Sequence, residues 1–205
     1  QVLSSAASDV YKRQVFGASI LLHKHYCHSQ FKVPVWFESI GLFMLMILCV
    51  RSPIGWIASH RMHHYHSDGP KDPHAQKYVG FWKVLLTTWD IKNIPMKYAR
   101  DLYKNPRLVF CHKHWFKILL GVNIVSFLIS PYFWVAFCVV PFIFAKIGFG
   151  LLNTVGHKTP GGANVPWLNM FIAGEGYHKN HHENFKRIRL HKFDTCAVSY
   201  TPLTL

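Results

Sequence analysis

The chain has 205 residues, enough for one domain or two small ones, and half of them are apolar. With a mean hydropathy of only +0.11, that composition excludes a disordered tail and a protein built of membrane spans throughout. Lysine and arginine number 23 against nine acidic residues, and the net charge of +14 demands an anionic neighbour: nucleic acid, an anionic lipid surface or a phosphorylated cofactor.

Residues Gln1 to Gln14, QVLSSAASDVYKRQ, are small and polar, with no helical stripe and no charged segment ahead of an apolar core. They are not a signal peptide, and they read as a leader foreign to the protein. Residues 15–205 then form one domain. Its first apolar stretch, Val15 to Leu22, reads as the cut end of a longer helix. A second, Ile40 to Val50, has eleven residues before Arg51 and Pro53, which suits a re-entrant or interfacial helix better than a crossing.

The longest apolar tract runs from Ile118 to Asn153, and Lys146 is its only formal charge. Pro131 divides it into halves near Phe116 to Ser130 and Pro131 to Leu152. The second half can cross a hydrocarbon core of roughly 30 Å; the first is short unless it tilts or the bilayer thins. Twelve lysines and arginines lie between Arg51 and Lys117 and six from Lys158 onward, whereas the turn at Ser130 has none. By the positive-inside bias, both ends of this hairpin and the basic segments lie on the cytoplasmic side. The fold class read from these features is all-α: integral membrane helices under a cytoplasmic helical cap. Basic residues that interleave with lipid-length apolar tracts make nucleic acid a poor partner.

Fifteen histidines are far above the four or five that roughly 2% usage supplies. His60-Arg-Met-His63-His64 sets three imidazoles at i, i+3 and i+4, within a 100° arc of a helix, and His178-Lys-Asn-His181-His182 repeats the spacing. A third cluster, His23-Lys-His25-Tyr-Cys-His28, puts His23 and His28 five apart, about 140° on an α-helix, so they diverge unless a metal sits beyond the helix end. His25 is its expendable member. His157 stands alone in Asn153-Thr-Val-Gly-His157, just after the last span. Each group lies where an apolar segment meets a basic one. A count near nine exceeds what one metal takes, so two metals are implied, and the cap carries a histidine-rich di-metal site. Glu-x-x-His pairs of the soluble di-iron type are missing, Glu175 and His178 having the only such spacing. The five cysteines form no C-x-x-C pair, against a disulfide framework or a cysteine zinc site.

The segments HKHYCH, HRMHHYHSDGPKDPHA and GEGYHKNHH resemble the three histidine boxes of membrane fatty-acyl desaturases of the Δ9, acyl-CoA type, over about Val15 to Asp194. Asp72-Pro-His74 and Gly174-Glu-Gly are further features of that family. The resemblance implies a di-iron centre held by His23, His28, His60, His63, His64, His157, His178, His181 and His182, with Asn153 holding a metal-bound water. It assigns no catalytic residue beyond this centre. It also implies an O2-dependent insertion of a cis double bond into a long acyl chain carried on coenzyme A or a lipid, with ferredoxin or cytochrome b5 as electron donor. Against the family pattern, the first span and part of the second are missing, and Gly80 to Trp89 departs where a histidine and Gly-Trp are expected, which bears on headgroup contacts. Trp36, Phe37, Phe43, Trp134 and Phe149 are candidates for lining an acyl tunnel. A lipid hydroxylase or ketolase using the same boxes is the nearest rival. A histidine-rich metal transporter is the rival of another class, but it requires ionisable residues along its spans, where only Lys146 is charged.

Overall fold

The computed structural model describes residues 14–48, 51–172, 174–192 and 194. The proposed foreign leader lies outside them except for Gln14, which opens the first helix. In chain order the helices are α1 (Gln14–Cys27), α2 (Val35–Ile47), α3 (Pro53–His66), α4 (Gln76–Val79), α5 (Phe81–Leu85), α6 (Pro106–Ile129), α7 (Pro131–Val155), α8 (Asn169–Ile172) and α9 (His178–Glu183). Among the described residues the only β-pairing is a single bridge between Asn164 and Tyr177. The all-helical class read from the sequence is the one observed.

The core lies where α1, α2 and α3 meet: Leu21, Leu22, Leu45, Ile54 and Ile57 are sealed from solvent there. Gly41 permits the contact, since a Cβ there would stand 2.8 Å from Leu21 Cδ2. α3 starts as its sequence dictates, with Pro53 in its first turn and the Ser52 hydroxyl accepting from the Gly55 N–H. Two polar clamps fix these helices to the segment before α6. Arg61 donates to both carboxylate oxygens of Asp101 and to the carbonyls of Tyr26 and Tyr98. The buried Glu38 accepts from Tyr26 Oη, Asn105 Nδ2 and Arg107.

α6 and α7 form the hairpin, joined at Ser130 and Pro131. The first arm is longer than the apolar tract suggests. α6 begins at Pro106, where Asn105 Oδ1 caps the N–H groups of Arg107 and Leu108. Its 24 residues reach about 36 Å, long enough to cross a hydrocarbon core of roughly 30 Å, but the added turns carry Arg107, Lys113 and Lys117, and the apolar part still begins at Ile118. Only 6% of its most apolar window is buried, against 33% for α7. The core helix of a soluble protein would be mostly covered. Here Leu120, Ile124, Phe127, Leu128 and Ile129 are exposed, as lipid-facing side chains are. Two polar contacts cross the hairpin among the described residues: Trp134 Nε1 donates to Asn123 Oδ1 at 2.8 Å, and Cys138 Sγ to Ser126 Oγ at 3.6 Å.

α2 is a short apolar helix with one buried side, including Leu42, Leu45 and Met46, and one exposed side with Trp36, Ile40 and Phe43. The stretch Val15 to Leu22 is part of α1, which continues without a break to Cys27. α1 is wound in the π manner, with i→i+5 hydrogen bonding, and the pattern persists past its end: the His28 N–H donates to the His23 carbonyl at 3.2 Å.

Candidate metal centre

That winding corrects the expected divergence of the first cluster. A ladder that bonds residue i to i+5 brings those two residues over one another, as the α-helical ladder does for i and i+4. The rings of His23 and His28 consequently lie 4.7 Å apart. His25 turns away: its Nδ1–H donates to the Phe31 carbonyl at 2.8 Å.

α3 and α9 carry the two H-x-x-H-H segments, and here too the single shared face of the sequence reading is refined. Nine imidazoles converge in two groups, His23, His28, His60, His64 and His181 in one and His63, His157, His178 and His182 in the other. Each helix divides its three histidines between them. α3 gives its i, i+4 pair, His60 and His64, to the first group and the i+3 member, His63, to the second. α9 does the reverse, giving His178 and His182 to the second and His181 to the first. The cause is helical phase: residues four apart are displaced by 40° one way and residues three apart by 60° the other, so the spacing addresses two neighbouring points. The first box completes one group, and His157, placed where α7 ends, completes the other.

Within each group the Nε2 atoms turn inward. In the first, His23 stands 3.1 Å from His181, His181 3.0 Å from His64, His64 3.0 Å from His60, and His60 3.2 Å from His28, all between Nε2 atoms. In the second, His157 stands 2.8 Å from His178, His178 3.1 Å from His182, and His182 3.3 Å from His63. A ring nitrogen offers one proton or one lone pair, yet His60, His64, His181, His178 and His182 each approach two neighbours. Nitrogens bound at about 2.1 Å to one cation, at right angles, stand about 3.0 Å apart, which is the spacing found.

Carboxylates stand behind the imidazoles. The Nδ1–H of His63 donates to Asp72 at 2.7 Å, that of His157 to Asp68 at 3.0 Å and that of His23 to Glu175 at 3.0 Å. A proton held at Nδ1 leaves the Nε2 lone pair for a metal, and such partners fix ring orientation as well. Each carboxylate is itself tied down. Asp72 accepts from the N–H groups of Asp68 and His74, Asp68 from the N–H of Gly161, and Glu175 from Ser19 Oγ at 2.6 Å. The sequence reading named Asp72 as part of a family segment and Glu175 for that and for its spacing to His178, quoted Asp68 only within the second histidine segment, and paired none of the three with these rings. Asp68 and Glu175 are far in the chain from the rings they hold, and only folding reveals them; Asp72 lies nine residues from His63.

Burial sets the charge state. It pushes His28, His60, His63, His178 and His181 well below the ordinary imidazole range, with neighbouring imidazoles adding to the effect. The same causes bring His64 to about 2 and His182 to about 3. These rings are neutral donors at physiological pH, the form in which imidazole binds metal. Burial raises the Asp72 carboxyl to about 6. It opposes Glu175 too, but the charge and hydrogen bond of His23, with Lys24 and Ser19, outweigh it and hold that carboxyl at about 2. The donor set therefore fits two metal ions: nine imidazole nitrogens that converge on two points and three anchored carboxylates to balance charge.

A narrow chamber opens beside the groups, lined by His23, His60 and His178 and by Trp56, Trp89, Phe149 and Asn153. Asn153, the expected holder of a metal-bound water, therefore faces the same space as histidines of both groups. Of the aromatic residues named for an acyl tunnel, Phe149 lines it. Trp36 and Phe43 are exposed on α2, Phe37 is buried in that helix, and Trp134 sits at the far turn of the hairpin. Position along a helix, unlike composition, decides which apolar side chain meets the site. His74 packs its ring on His63 at 4.2 Å and also borders the chamber.

The family model described as fatty acid desaturase matches residues 13–194. Among curated proteins, the chain is 27% identical to the sn-1 stearoyl-lipid 9-desaturase of Anabaena variabilis, over 92% of this chain and 74% of that protein. It is 29% identical to the Delta-9 acyl-lipid desaturase 2 of Arabidopsis thaliana, over 81% of this chain and 59% of the relative. It is likewise 29% identical to the sn-1 stearoyl-lipid 9-desaturase of Synechocystis sp., over 81% of this chain and 57% of that one.

Proposed function

We propose, since this chain belongs to the fatty acid desaturase family, that it removes two hydrogens from adjacent methylenes of a long acyl chain to leave a cis double bond. The balance requires an outside reductant: one O2, two electrons and two protons are consumed with the two substrate hydrogens, and two waters form. The observation that carries this reading is the convergence of nine imidazole Nε2 atoms on two points beside a largely apolar chamber.

In this proposal iron occupies both groups, held by His23, His28, His60, His64 and His181 at one and by His63, His157, His178 and His182 at the other. Bound iron supplies the O2 reduction and the oxidising power to break an unactivated C–H bond, which redox-inert zinc does not. The protein does the rest. Asp72, Asp68 and Glu175 hold three of the rings with Nε2 inward; Trp56, Trp89 and Phe149 keep bulk water from the chamber; Asn153 holds a water at the metal edge. The names of the relatives favour an acyl chain carried on a lipid over one carried on coenzyme A. Ferredoxin or cytochrome b5 is the proposed donor of electrons.

Expression in a desaturase-deficient host, with analysis of total fatty acids, tests the activity. A new monounsaturated acid that disappears without O2 is the expected result, and a hydroxy acid in its place would transfer the site to the hydroxylase class. Metal analysis should give about two irons per chain, as two groups of donors imply. The charge pattern supports a cytoplasmic site with the Ser130 turn on the opposite side. Single cysteines at Ser130 and Thr159 in sealed vesicles should label from opposite faces, and labelling of both from one face would overturn this orientation.

A further inference from the structure

Two electrons must come from outside the chain for each double bond, so a reduced carrier has to approach the histidine groups closely somewhere on the surface. Such an approach lies just beyond α9. The Phe185 ring stands 5.2 Å from that of His28 and 5.7 Å from that of His64, both members of the group of five, and it is 40% exposed. One side chain thus touches two converging imidazoles and solvent as well. The chamber borders His23, His60 and His178 but neither His28 nor His64, so Phe185 meets the group on rings that the chamber leaves free.

Local structure fixes the ring there. Asn184, which ends α9, accepts from the Lys186 N–H through its side chain at 3.2 Å and from the Arg187 N–H through its carbonyl at 3.0 Å, a tight turn whose second residue is Phe185. Two more bonds tie the turn to the first histidine cluster. Gln30 Nε2 donates to the Phe185 carbonyl at 2.6 Å, and Lys186 Nζ to the His28 carbonyl at 2.5 Å.

The chain around the ring is basic. Lys186, Arg187, Arg189 and Lys192 fall within the seven residues KRIRLHK, and all four are exposed. The acidic residues that flank this run are Glu183, which pairs with Lys179 at 3.9 Å, and Asp194, which is buried and accepts from the Leu190 N–H. An exposed aromatic ring framed by cations suits a protein face of opposite sign: the rim charges steer the partner, and the central apolar side chain excludes water where the two come closest.

We propose that Phe185 is the point of electron entry, and that Lys186, Arg187 and Arg189 around it dock a one-electron carrier protein whose cofactor edge is ringed by carboxylates. The proposal rests on the desaturase reading and adds to it the face on which the reductant binds. Each docking oxidises the carrier by one electron and reduces the metal centre by one, so two dockings serve each double bond, and no proton or group passes between the proteins. Because carrier and acyl chain use different sides of the histidine groups, one can bind while the other is in place. An anionic lipid surface would match the charge, but it gives no role to the contact of Phe185 with His28 and His64, and that contact favours the carrier.

The test uses the whole chain, iron-loaded and in detergent, with reduced ferredoxin and reduced cytochrome b5 as acidic probes and basic cytochrome c as the control of opposite charge. At least one acidic probe should bind, more weakly as salt rises, and cytochrome c should not. Arg187→Glu combined with Arg189→Glu should weaken that binding about tenfold or more and slow reduction of the iron by the carrier, with iron content and reduction by dithionite unchanged. Lys83→Glu combined with Lys104→Glu makes the same change of net charge at other exposed positions and should do much less. Phe185→Leu keeps the charges but removes the ring, and should slow reduction by the carrier more than it weakens binding. Equal weakening by the two double variants would overturn the site, because net charge alone would then account for the attraction. An Arg187→Glu, Arg189→Glu chain that binds the carrier like wild type but no longer binds phosphatidylglycerol vesicles would overturn it in favour of a lipid contact. A failure of the desaturase reading is separate: wild type that the carrier reduces normally but that forms no unsaturated product.

Discussion

The two histidine groups are built from the same repeated helix motif, yet they differ in number and in support. The group of five takes its extra pair from α1 and the residue that follows it, His23 and His28, and one of its rings has a carboxylate behind it, Glu175 on His23. The group of four takes its single extra ring from the end of α7, and two of its rings are backed by carboxylates, Asp72 on His63 and Asp68 on His157. If both groups held a metal, the group of four would offer it one donor fewer than the group of five, on the side with the greater carboxylate support. Two points addressed by one motif are therefore chemically unequal because of what lies outside the motif.

Removing a ligand from each group is the strongest way to break this comparison. His63→Ala and His181→Ala should both abolish turnover while leaving membrane insertion intact. The iron should separate them. His63→Ala reduces four donors to three, and iron is expected to fall from about two per chain toward one; His181→Ala leaves four and should retain more. Equal iron loss in the two variants would mean that the groups bind as a single cooperative unit, and wild-type iron in both would remove the ligand assignment.

A smaller effect is expected one step further out. Asp72→Asn and Glu175→Gln keep size but weaken the hold on His63 and His23, and loss of such partners typically costs about 10–100-fold in metal affinity or activity. Asp72→Asn should lie at the upper end, because that carboxylate also gathers the Asp68 and His74 N–H groups and so shapes the loop behind the shorter group. Titration of each variant with ferrous iron, read by metal retention after gel filtration, gives the order. A larger loss for Glu175→Gln would reverse the assignment of support.

Six of the nine converging imidazoles were legible because helical phase is encoded locally: histidines at i, i+3 and i+4 need no knowledge of the fold to be recognised as donors, whereas His23, His28 and His157 entered the set through the family resemblance. Their division between two points was not legible, since it depends on how α3 and α9 face one another. Glu175 illustrates a second limit. It was set aside because its Glu-x-x-His spacing to His178 has no second copy in the chain, as the soluble di-iron pattern requires, but its partner is His23, across the fold. The π winding of α1 has no periodic signature in so short a stretch, and it is what brings His28 over His23. The early start of α6 was different, for Asn105-Pro106 is an ordinary helix-start signal and the apolar boundary at Phe116 concealed it.

Asn153 tests the open side directly. It borders the chamber with His178 of the smaller group and His23 and His60 of the larger, and it is proposed to hold a water there. Asn153→Leu should leave iron near the wild-type amount and lower turnover by about tenfold, the low end for outer partners of a metal site. Iron loss as large as that of His63→Ala would make it a ligand in its own right, and the four-against-five comparison would become five against five.

The smallest expected effect belongs to His25, and its smallness is informative. The first box holds three histidines, but the winding that aligns positions five apart turns position 25 away from the two histidine groups, and its ring is engaged by the Phe31 carbonyl instead. His25→Ala therefore forfeits one partly exposed hydrogen bond, about 1 kcal/mol of stability at most, with iron and turnover unchanged. If α1 were wound as an ordinary α-helix in the working enzyme, His23 and His28 would diverge and the ligand roles within this box would be redistributed. A drop in iron for His25→Ala, with His28→Ala showing none, would establish that redistribution and reduce the larger group's count from its present membership. Unchanged iron for His25→Ala, together with loss for His28→Ala, ties the group of five to the i→i+5 ladder that assembles it.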